Sequence, residues 1–230
     1  MDEENYKNIE LIIFDCDGVL IDSESISCEV LSNQFIKIGI NINVEYVKKN
    51  FVGNSYPKVK EHIFKNFNKT LANNFEDDYR KELILSFEKN LKAISGIEDL
   101  LKNINVLKCV ATSSSLLRAK TSLEIVGIFK YFENNIFSAY SMGDKGKPSP
   151  DIYLNAAKEY NIKPENVLVI EDSLLGIEGG KRAGMKVWHF IGASHMEFWD
   201  KEYEYSFKPD FVFDNMNEVL KYLPHLSNNK

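Results

Sequence analysis

The sequence lacks the features that mark secreted and membrane-spanning proteins. Its three cysteines, Cys16, Cys28 and Cys109, are an odd number without a Cys-x-x-Cys spacing, so no disulfide framework is indicated. The residues from Met1 to Asn5 are acidic where a signal peptide would be basic, and no apolar run reaches the length of a membrane span. We therefore expect a cytoplasmic protein with reduced thiols and no membrane partner.

The sequence also has fewer basic residues than acidic ones. The 28 Lys and Arg residues are outnumbered by 34 Asp and Glu residues, which gives a formal net charge of -6. A nucleic-acid partner therefore has no electrostatic support. The 230 residues, 44% of them hydrophobic and 27% charged, are typical of a folded chain with one large domain or one domain that carries an insertion.

The first motif is an apolar run that ends in two carboxylates. Leu11 to Phe14 predict a buried parallel strand, and Asp15, Asp17 and Gly18 follow it at once in a turn. Because side chains alternate along a strand, both carboxylates point the same way, and their repulsion must be offset by a cation or a shared proton. Magnesium prefers such oxygen ligands. The alternative is a strand that simply ends in a polar turn.

The rest of the chain divides into a helical insert and an alternating region. Helices are predicted after Ser23 and over 44–51, 59–67 and 75–91, without a strand. From Ile97, helices alternate with strands, which predicts an α/β fold with a Rossmann-like parallel sheet and an all-helical domain inserted after the first strand. The predicted domains are 1–21 with 95–230, and 22–94. The later strands are predicted at Val106 to Thr112, Asn135 to Ser138, Val167 to Ile170, Lys186 to Phe190 and Phe211 to Phe213.

Hydroxyl groups follow the second predicted strand. Thr112, Ser113 and Ser114 stand just before a helix, where hydroxyls and backbone N–H groups can bind phosphate. The alternative is a serine that only caps the helix.

A second acidic pair and a lysine complete the pattern. Glu171 and Asp172 follow the strand at Val167, and Lys147 lies on a loop stiffened by Pro148 and Pro150. Taken alone, Asp172 could be a helix cap and Lys147 a solvated loop residue. Together, acidic pairs for a cation, donors for phosphate oxygens and one ammonium at the same sheet edge predict phosphoryl transfer.

These motifs resemble those of the haloacid dehalogenase superfamily, in the branch that contains beta-phosphoglucomutase and small sugar-phosphate phosphatases. The resemblance covers essentially the whole chain, including the insert, which corresponds to a helical cap domain. It rests on the motifs Asp15-Cys16-Asp17-Gly18-Val19, Thr112-Ser113-Ser114, Lys147-Pro148 and Glu171-Asp172.

The resemblance implies a role for each motif. Asp15 would be the nucleophile that becomes a phosphoaspartate, and Asp17 would protonate the leaving group and then activate water. Mg2+ would be held by Asp15, the backbone carbonyl of Asp17 and Asp172, with Glu171 as a further or water-mediated ligand.

The remaining motif residues would bind the phosphate. The family implies that Thr112 and the N–H of Ser113 hold phosphate oxygens, with Gly18 and Ser114 in the same phosphate-binding loops. Lys147 would offset the negative charge of Asp15 and the phosphate. The cap would close over the substrate and exclude water.

Departures from the family pattern narrow the chemistry. Asp17 excludes the dehalogenases, which lack the second aspartate. Ser27 stands where sugar phosphomutases of this type carry histidine, and Tyr56 stands where they carry arginine after the cap's glycine turn. We therefore expect a monomeric magnesium-dependent phosphatase that acts on a small phosphorylated metabolite, a sugar or sugar-acid phosphate. The alternatives are a beta-phosphoglucomutase-like mutase and a non-catalytic phosphate-ligand sensor.

Three residues outside these motifs could also reach the substrate. Asn54, in the turn of the cap, is the candidate for substrate contact from that side. His195 could touch substrate, but a surface histidine is the favoured interpretation. Arg118 could reach a phosphate or carboxylate, although an ion pair on the helix surface is favoured over that role.

Overall fold

The chain forms two compact units, one of which is discontinuous in sequence. The computed structural model describes residues 3–52, 56–140, 146–197, 199 and 203–228. The larger unit comprises Met1–Asp22 and Lys92–Lys230, and the smaller comprises Ser23–Leu91. The assignment of the smaller unit as a cap domain stays a prediction.

The larger unit contains a sheet of six parallel strands in its described residues. The strands are β1 (Leu11–Phe14), β2 (Leu107–Thr112), β3 (Ile136–Ser138), β4 (Val167–Glu171), β5 (Lys186–Phe190) and β6 (Phe211–Phe213). Their order in the sheet is β3-β2-β1-β4-β5-β6. Every residue of β1 and β4 is buried, as expected for central parallel strands covered on both faces. The predicted α/β class with a parallel sheet is confirmed.

Helices surround the sheet and make up the smaller unit. The described helices of the smaller unit are α1 (Glu24–Lys37), α2 (Val44–Phe51), α3 (Tyr56–Phe67) and α4 (Phe75–Asn90). Those of the larger unit are α5 (Ile97–Asn103), α6 (Leu116–Ile125), α7 (Asp151–Glu159), α8 (Leu174–Arg182) and α9 (Glu218–Tyr222). Within the described residues, none of these helices combines the length and apolar content needed to span a bilayer.

Each unit has its own hydrophobic core. In the larger unit, alternate residues of β1, β2, β4 and β5 pack with buried side chains of α7 and α8, such as Tyr153 and Ile177. In the smaller unit, the rings of Phe35 and Phe75 stack with centroids 5.3 Å apart among buried residues of all four helices. These cores give each unit independent packing.

The strand order determines where the site can form. β1 pairs with β2 on one side and with β4 on the other, so that Phe14 lies opposite both Val110 and Ile170. Chain progression across the sheet reverses between β1 and β4, and open α/β sheets bind ligands at such a point, beyond the carboxyl ends of the strands. This register brings Asp15 and Glu171 to the same edge.

Candidate active site

The turn after β1 presents Asp15 at the edge of the sheet. The Asp15 N–H continues the pairing with β4 by donating to the Ile170 carbonyl, at 2.9 Å. The chain then folds back, because the Gly18 N–H donates to the Ile21 carbonyl at 2.8 Å and the Ile21 N–H donates to the Cys16 carbonyl at 3.1 Å. Gly18 has φ +83°, a left-handed conformation that glycine adopts without strain.

Lys147 is the cation at the centre of the site. Its Nζ donates to Asp15 Oδ1 at 2.5 Å and to the Ala111 carbonyl at 3.0 Å, and it also donates to Glu171 Oε1. The Lys147 side chain is only 5% exposed, so these bonds form away from bulk water. Burial alone would lower the pKa of Lys147, but the Asp15 and Glu171 carboxylates raise it well above its ordinary value, and the side chain is a fixed ammonium.

Glu171 is fully buried and surrounded by donors. Its Oε2 accepts from the Asp172 N–H at 3.0 Å and from both the N–H and the hydroxyl of Ser173 at 2.9 Å. Its Oε1 accepts from the Tyr153 hydroxyl at 3.0 Å as well as from Lys147. Gly176 leaves room for this carboxylate, since a Cβ there would lie 2.0 Å from it.

The carboxyl groups of the site differ in pKa. Burial, together with the negative charge of Glu171, raises the pKa of Asp15 and of Asp172 well above their usual range, although Lys147 opposes this effect. Burial would also raise the pKa of Glu171, but Lys147 and Ser173 hold it below its ordinary value. The single positive charge of Lys147 therefore does not fully offset the burial of Asp15 and Asp172 beside Glu171.

The three carboxylates fit a divalent metal ion. Asp15, Glu171 and Asp172 each offer one oxygen, and these oxygens lie within 4.8 Å of one another. When all three are ionised, they and the ammonium of Lys147 carry a net charge of -2, which matches one divalent cation. An all-oxygen donor set suits a hard ion such as Mg2+. Of the two predicted acidic pairs, the structure brings together Asp15 from the first and both Glu171 and Asp172 from the second.

Asp17 lies in a separate set of hydrogen bonds. Its Oδ2 accepts from the Ser114 hydroxyl at 2.7 Å, and its Oδ1 accepts from Arg118 Nη2 at 2.8 Å. Arg118 is therefore an ion-pair residue, as favoured above, but its partner is a predicted catalytic residue and its side chain is only 19% exposed. The ion pair is part of the site rather than of the helix surface.

The predicted hydroxyl cluster lies beside Asp17. Buried Thr112 accepts the Ser114 N–H on its Oγ1 at 3.0 Å, and Ser138 donates to the Ser114 carbonyl at 2.6 Å. Ser113 is exposed. Ser115 caps α6, because its side chain accepts the Arg118 N–H at 3.3 Å. The phosphate-binding roles of Gly18, Thr112, Ser113 and Ser114 stay predictions.

The position of His195 also differs from the favoured interpretation. Its side chain is 8% exposed rather than on the surface, and its Nε2 lies 3.1 Å from Asp172 Oδ2. No local pattern indicates this, because the contact joins a loop after β5 to the loop after β4. Asn54 lies outside the described residues.

Comparisons with known proteins agree with this geometry. Residues 9–184 match the family described as "Hydrolase: haloacid dehalogenase-like hydrolase". The chain is 33% identical over 188 residues to the 6-phosphogluconate phosphatase of Escherichia coli (strain K12), a match that covers 81% of this chain and 85% of the relative. It is 30% identical over 188 residues to a phosphorylated carbohydrates phosphatase of Thermotoga maritima, with 77% and 83% coverage.

A solved structure matches over nearly the whole length. The haloacid dehalogenase-like protein of Agrobacterium tumefaciens strain C58 superposes with a TM-score of 0.79 at 32% identity, and the match covers 94% of this chain and 98% of the other.

Proposed function

Because the chain belongs to the haloacid dehalogenase-like hydrolase family, we propose that it is a magnesium-dependent phosphatase that works through an aspartyl-phosphate on Asp15. The observation that carries the proposal is the buried cluster of Asp15, Glu171 and Asp172 around Lys147. A carboxylate nucleophile, a fixed ammonium and an oxygen-lined cation site meet there, which is the equipment that phosphoryl transfer requires.

Asp15 performs the first step. One Asp15 carboxylate oxygen attacks phosphorus as the bond to the leaving oxygen breaks, which gives a phosphoaspartate and a free alcohol. Lys147 holds Asp15 Oδ1 at 2.5 Å, so its ammonium orients the nucleophile and offsets the charge that the phosphoryl group brings.

Asp17 moves the protons. It gives a proton to the leaving oxygen and then takes one from the water that attacks the phosphoaspartate, which releases inorganic phosphate and restores Asp15. Arg118 and Ser114 hold its two oxygens, so Asp17 has a different environment from Asp15. Two carboxylates in different environments suit a division between nucleophile and acid or base.

Asp15 and Asp172 would hold Mg2+ directly. Glu171 suits a water-mediated contact better, because both of its oxygens already accept hydrogen bonds from Lys147, Tyr153, Asp172 and Ser173. When bound, the ion supplies Lewis-acid stabilisation of negative phosphate oxygens. The backbone carbonyl of Asp17 is the further ligand that we propose.

The substrate is proposed to be a small sugar or sugar-acid phosphate. The matched relatives named above act, by their names, on 6-phosphogluconate and on phosphorylated carbohydrates. Hydrolysis is favoured over mutase chemistry by the smaller unit. The Ser27 hydroxyl donates to the Ser23 carbonyl at 2.9 Å, and the Tyr56 ring stacks on Phe75, so these two positions supply neither an imidazole nor a guanidinium.

We also propose that the enzyme is a cytoplasmic monomer. Cys16, Cys28 and Cys109 are free and buried, which agrees with a reducing compartment.

The test is phosphate release from a panel of sugar phosphates, sugar-acid phosphates and nucleotides, with and without Mg2+. We expect Mg2+-dependent release that falls by at least about a thousandfold in Asp15→Asn, because the amide is a poor nucleophile. Asp99→Asn, which removes a carboxylate from the exposed part of α5, is the matched control and should retain activity.

The outcomes separate the candidate functions. Release that survives Asp15→Asn would contradict the phosphoaspartate. If no substrate releases phosphate, conversion of beta-glucose 1-phosphate to glucose 6-phosphate would indicate a mutase, and the absence of both activities would indicate a non-catalytic module.

A further inference from the structure

Asp172 is contacted by two histidines at opposite ends of the residue. His195 Nε2 lies 3.1 Å from its carboxylate Oδ2, and His189 Nε2 lies 3.0 Å from its backbone carbonyl. Neither histidine belongs to the motifs that define the proposed function. Both come from one stretch of chain, because His189 is in β5 and His195 is in the short 3-10 helix Ser194–Met196 that follows it.

The hydrogen bonds of His189 determine its tautomer. A carbonyl oxygen can only accept, so the proton toward Asp172 must be carried by His189 Nε2. In a neutral ring Nδ1 then accepts, and the Tyr205 hydroxyl, 2.7 Å away, donates to it. Burial lowers the pKa of His189, in agreement with a neutral ring. Tyr205 thus selects the tautomer that can hold the Asp172 carbonyl.

The His189 ring is also fixed by its neighbours. It is fully buried, and the rings of Trp199 and Tyr205 pack against it edge to face, with centroids 5.1 and 5.6 Å away. On the other side of the residue, the Asp172 N–H donates to Glu171 Oε2. The backbone of Asp172 is therefore held through both its N–H and its carbonyl.

His195 is held against the carboxylate by the turn after β1. Ser194, its neighbour, donates to Asp22 Oδ1 from its N–H at 3.2 Å and from its hydroxyl at 2.8 Å. The imidazole lies over Gly18, where an added Cβ would come within 2.9 Å of His195 Cε1. His195 can therefore bond Oδ2 and leave the other Asp172 oxygen for a cation.

We propose that His189 and His195 are positioning residues for Asp172 and that they set the affinity of the site for Mg2+. The inference rests on the proposed function, in which Asp172 is a metal ligand. Groups that orient a metal ligand remove its freedom to turn away from the ion, and their loss weakens binding by about 10-fold to 100-fold. Tyr205 acts through His189 in the same way.

The test is the dissociation constant for Mg2+, measured by isothermal titration calorimetry on the full chain after removal of metal with a chelator. His195→Ala and His189→Leu should raise it by about 10-fold or more. His195→Gln and His189→Gln keep a side-chain N–H donor and should restore part of the affinity. Melting temperatures measured without metal report any loss of folding stability separately.

Two tyrosines give a matched pair of variants that avoids disruption of the core. Tyr205→Phe removes the hydroxyl that donates to His189 Nδ1 and should weaken Mg2+ binding by about 3-fold to 10-fold. Tyr203→Phe is the control. Tyr203 packs against the rings of Trp199 and Tyr205, but the hydroxyl that bonds to His189 belongs to Tyr205. If His189→Leu does not fold, this pair still tests the proposal.

His195→Ala or Tyr205→Phe could lower the melting temperature and still leave the Mg2+ dissociation constant within about 2-fold of the wild type. That result would overturn the inference. Asp172→Asn separates that failure from failure of the proposed function. If Asp172→Asn weakens binding while the histidine and Tyr205 variants do not, only the positioning role is wrong. If Asp172→Asn leaves binding unchanged, Asp172 is not a ligand and the proposed metal site is wrong.

Discussion

Lys147 is the cation that the buried carboxylates Asp15 and Glu171 share. Replacing it with methionine keeps much of the side chain's volume but leaves those carboxylates without their ammonium. In metal-free protein we expect Lys147→Met to lower the free energy of unfolding by about 3 kcal/mol, since removing one partner of a buried ion pair leaves uncompensated charge. Phosphate release should fall by at least about 100-fold, because the nucleophile loses its orienting group.

Chemical denaturation in the presence of a chelator measures the first effect, and steady-state kinetics with saturating Mg2+ measure the second. Lys102→Met removes an ammonium that is 49% exposed and pairs with Glu98 on α5, and it should leave both quantities unchanged. Lys147→Met with wild-type activity would show that the ammonium has no part in the reaction.

At the level of single residues, the sequence predicts the types of group in the site better than their partners. The carboxylates could be predicted because they stand at the carboxyl ends of β1 and β4, which lie at one edge of a parallel sheet, and Lys147 because its loop is stiffened by two prolines. The pairing of Arg118 with Asp17 could not, because the two residues are 101 positions apart and helix α6 offers Arg118 several directions. The burial of His195 could not be predicted either, because its contact with Asp172 joins the loop after β5 to the loop after β4.

Among the elements, the turn between β1 and α1 lies directly against Asp172, a proposed metal ligand. Gly18 combines φ +83° with a tight approach to Asp172, whose Oδ2 would lie 1.9 Å from a Cβ at this position. Gly18→Ala should lower the free energy of unfolding by about 1 kcal/mol through the left-handed backbone, and by more through the clash. It should also weaken Mg2+ binding by at least about 10-fold, because Asp172 has to move.

Gly127→Ala is the matched control for the backbone effect. Gly127 has φ +76°, but a Cβ there has open space around it. Denaturation and calorimetry on the two variants therefore separate strain from contact. Equal losses of stability, with Mg2+ affinity unchanged in both, would show that Asp172 does not need the space that Gly18 leaves.

Strand boundaries can be predicted from this sequence more accurately than helix boundaries. The strands were placed within one residue of their observed ends, because continuous apolar runs identify central parallel strands. Helix ends were harder. α3 begins at Tyr56 rather than Val59, since Pro57 is accommodated in the first turn. The apolar pattern predicts a closing helix from Asn215 to Leu223, but α9 spans Glu218–Tyr222, because the Asn215 side chain accepts the Asn217 N–H and holds a turn before the helix.

The strand order β3-β2-β1-β4-β5-β6 was not predicted, because apolar runs carry no information on which strands become neighbours. For the molecule as a whole, this order brings the carboxyl groups of the site together, so the stability of the fold depends on pH and on metal binding.

In metal-free protein the raised pKa values of Asp15 and Asp172 mean that the folded state prefers their neutral forms. Their contribution to stability is present below the ordinary value of 3.8 and is lost as the pH rises through the folded-state pKa values. Glu171 has the opposite sign: its contribution is present above 4.5 and is lost only on acidification below that value.

Mg2+ should therefore stabilise the protein more at high pH than at low pH. As the pH rises through the raised folded-state pKa values of Asp15 and Asp172, both carboxyls ionise, which lowers metal-free stability and at the same time creates the ligands that the ion needs. At a Mg2+ concentration 100-fold above the dissociation constant, the gain should approach about 2.7 kcal/mol and should shrink as the solution is acidified. Thermal melts with Mg2+ and with a chelator, repeated across the pH range, measure this difference. Asp172→Asn removes one of the two titrating carboxyls, so its gain should be smaller and less dependent on pH, whereas Asp99→Asn should follow the wild type. A gain that is independent of pH in the wild type would mean that the ion binds elsewhere, because a site built on buried carboxyls with raised pKa values must compete with protons for its ligands.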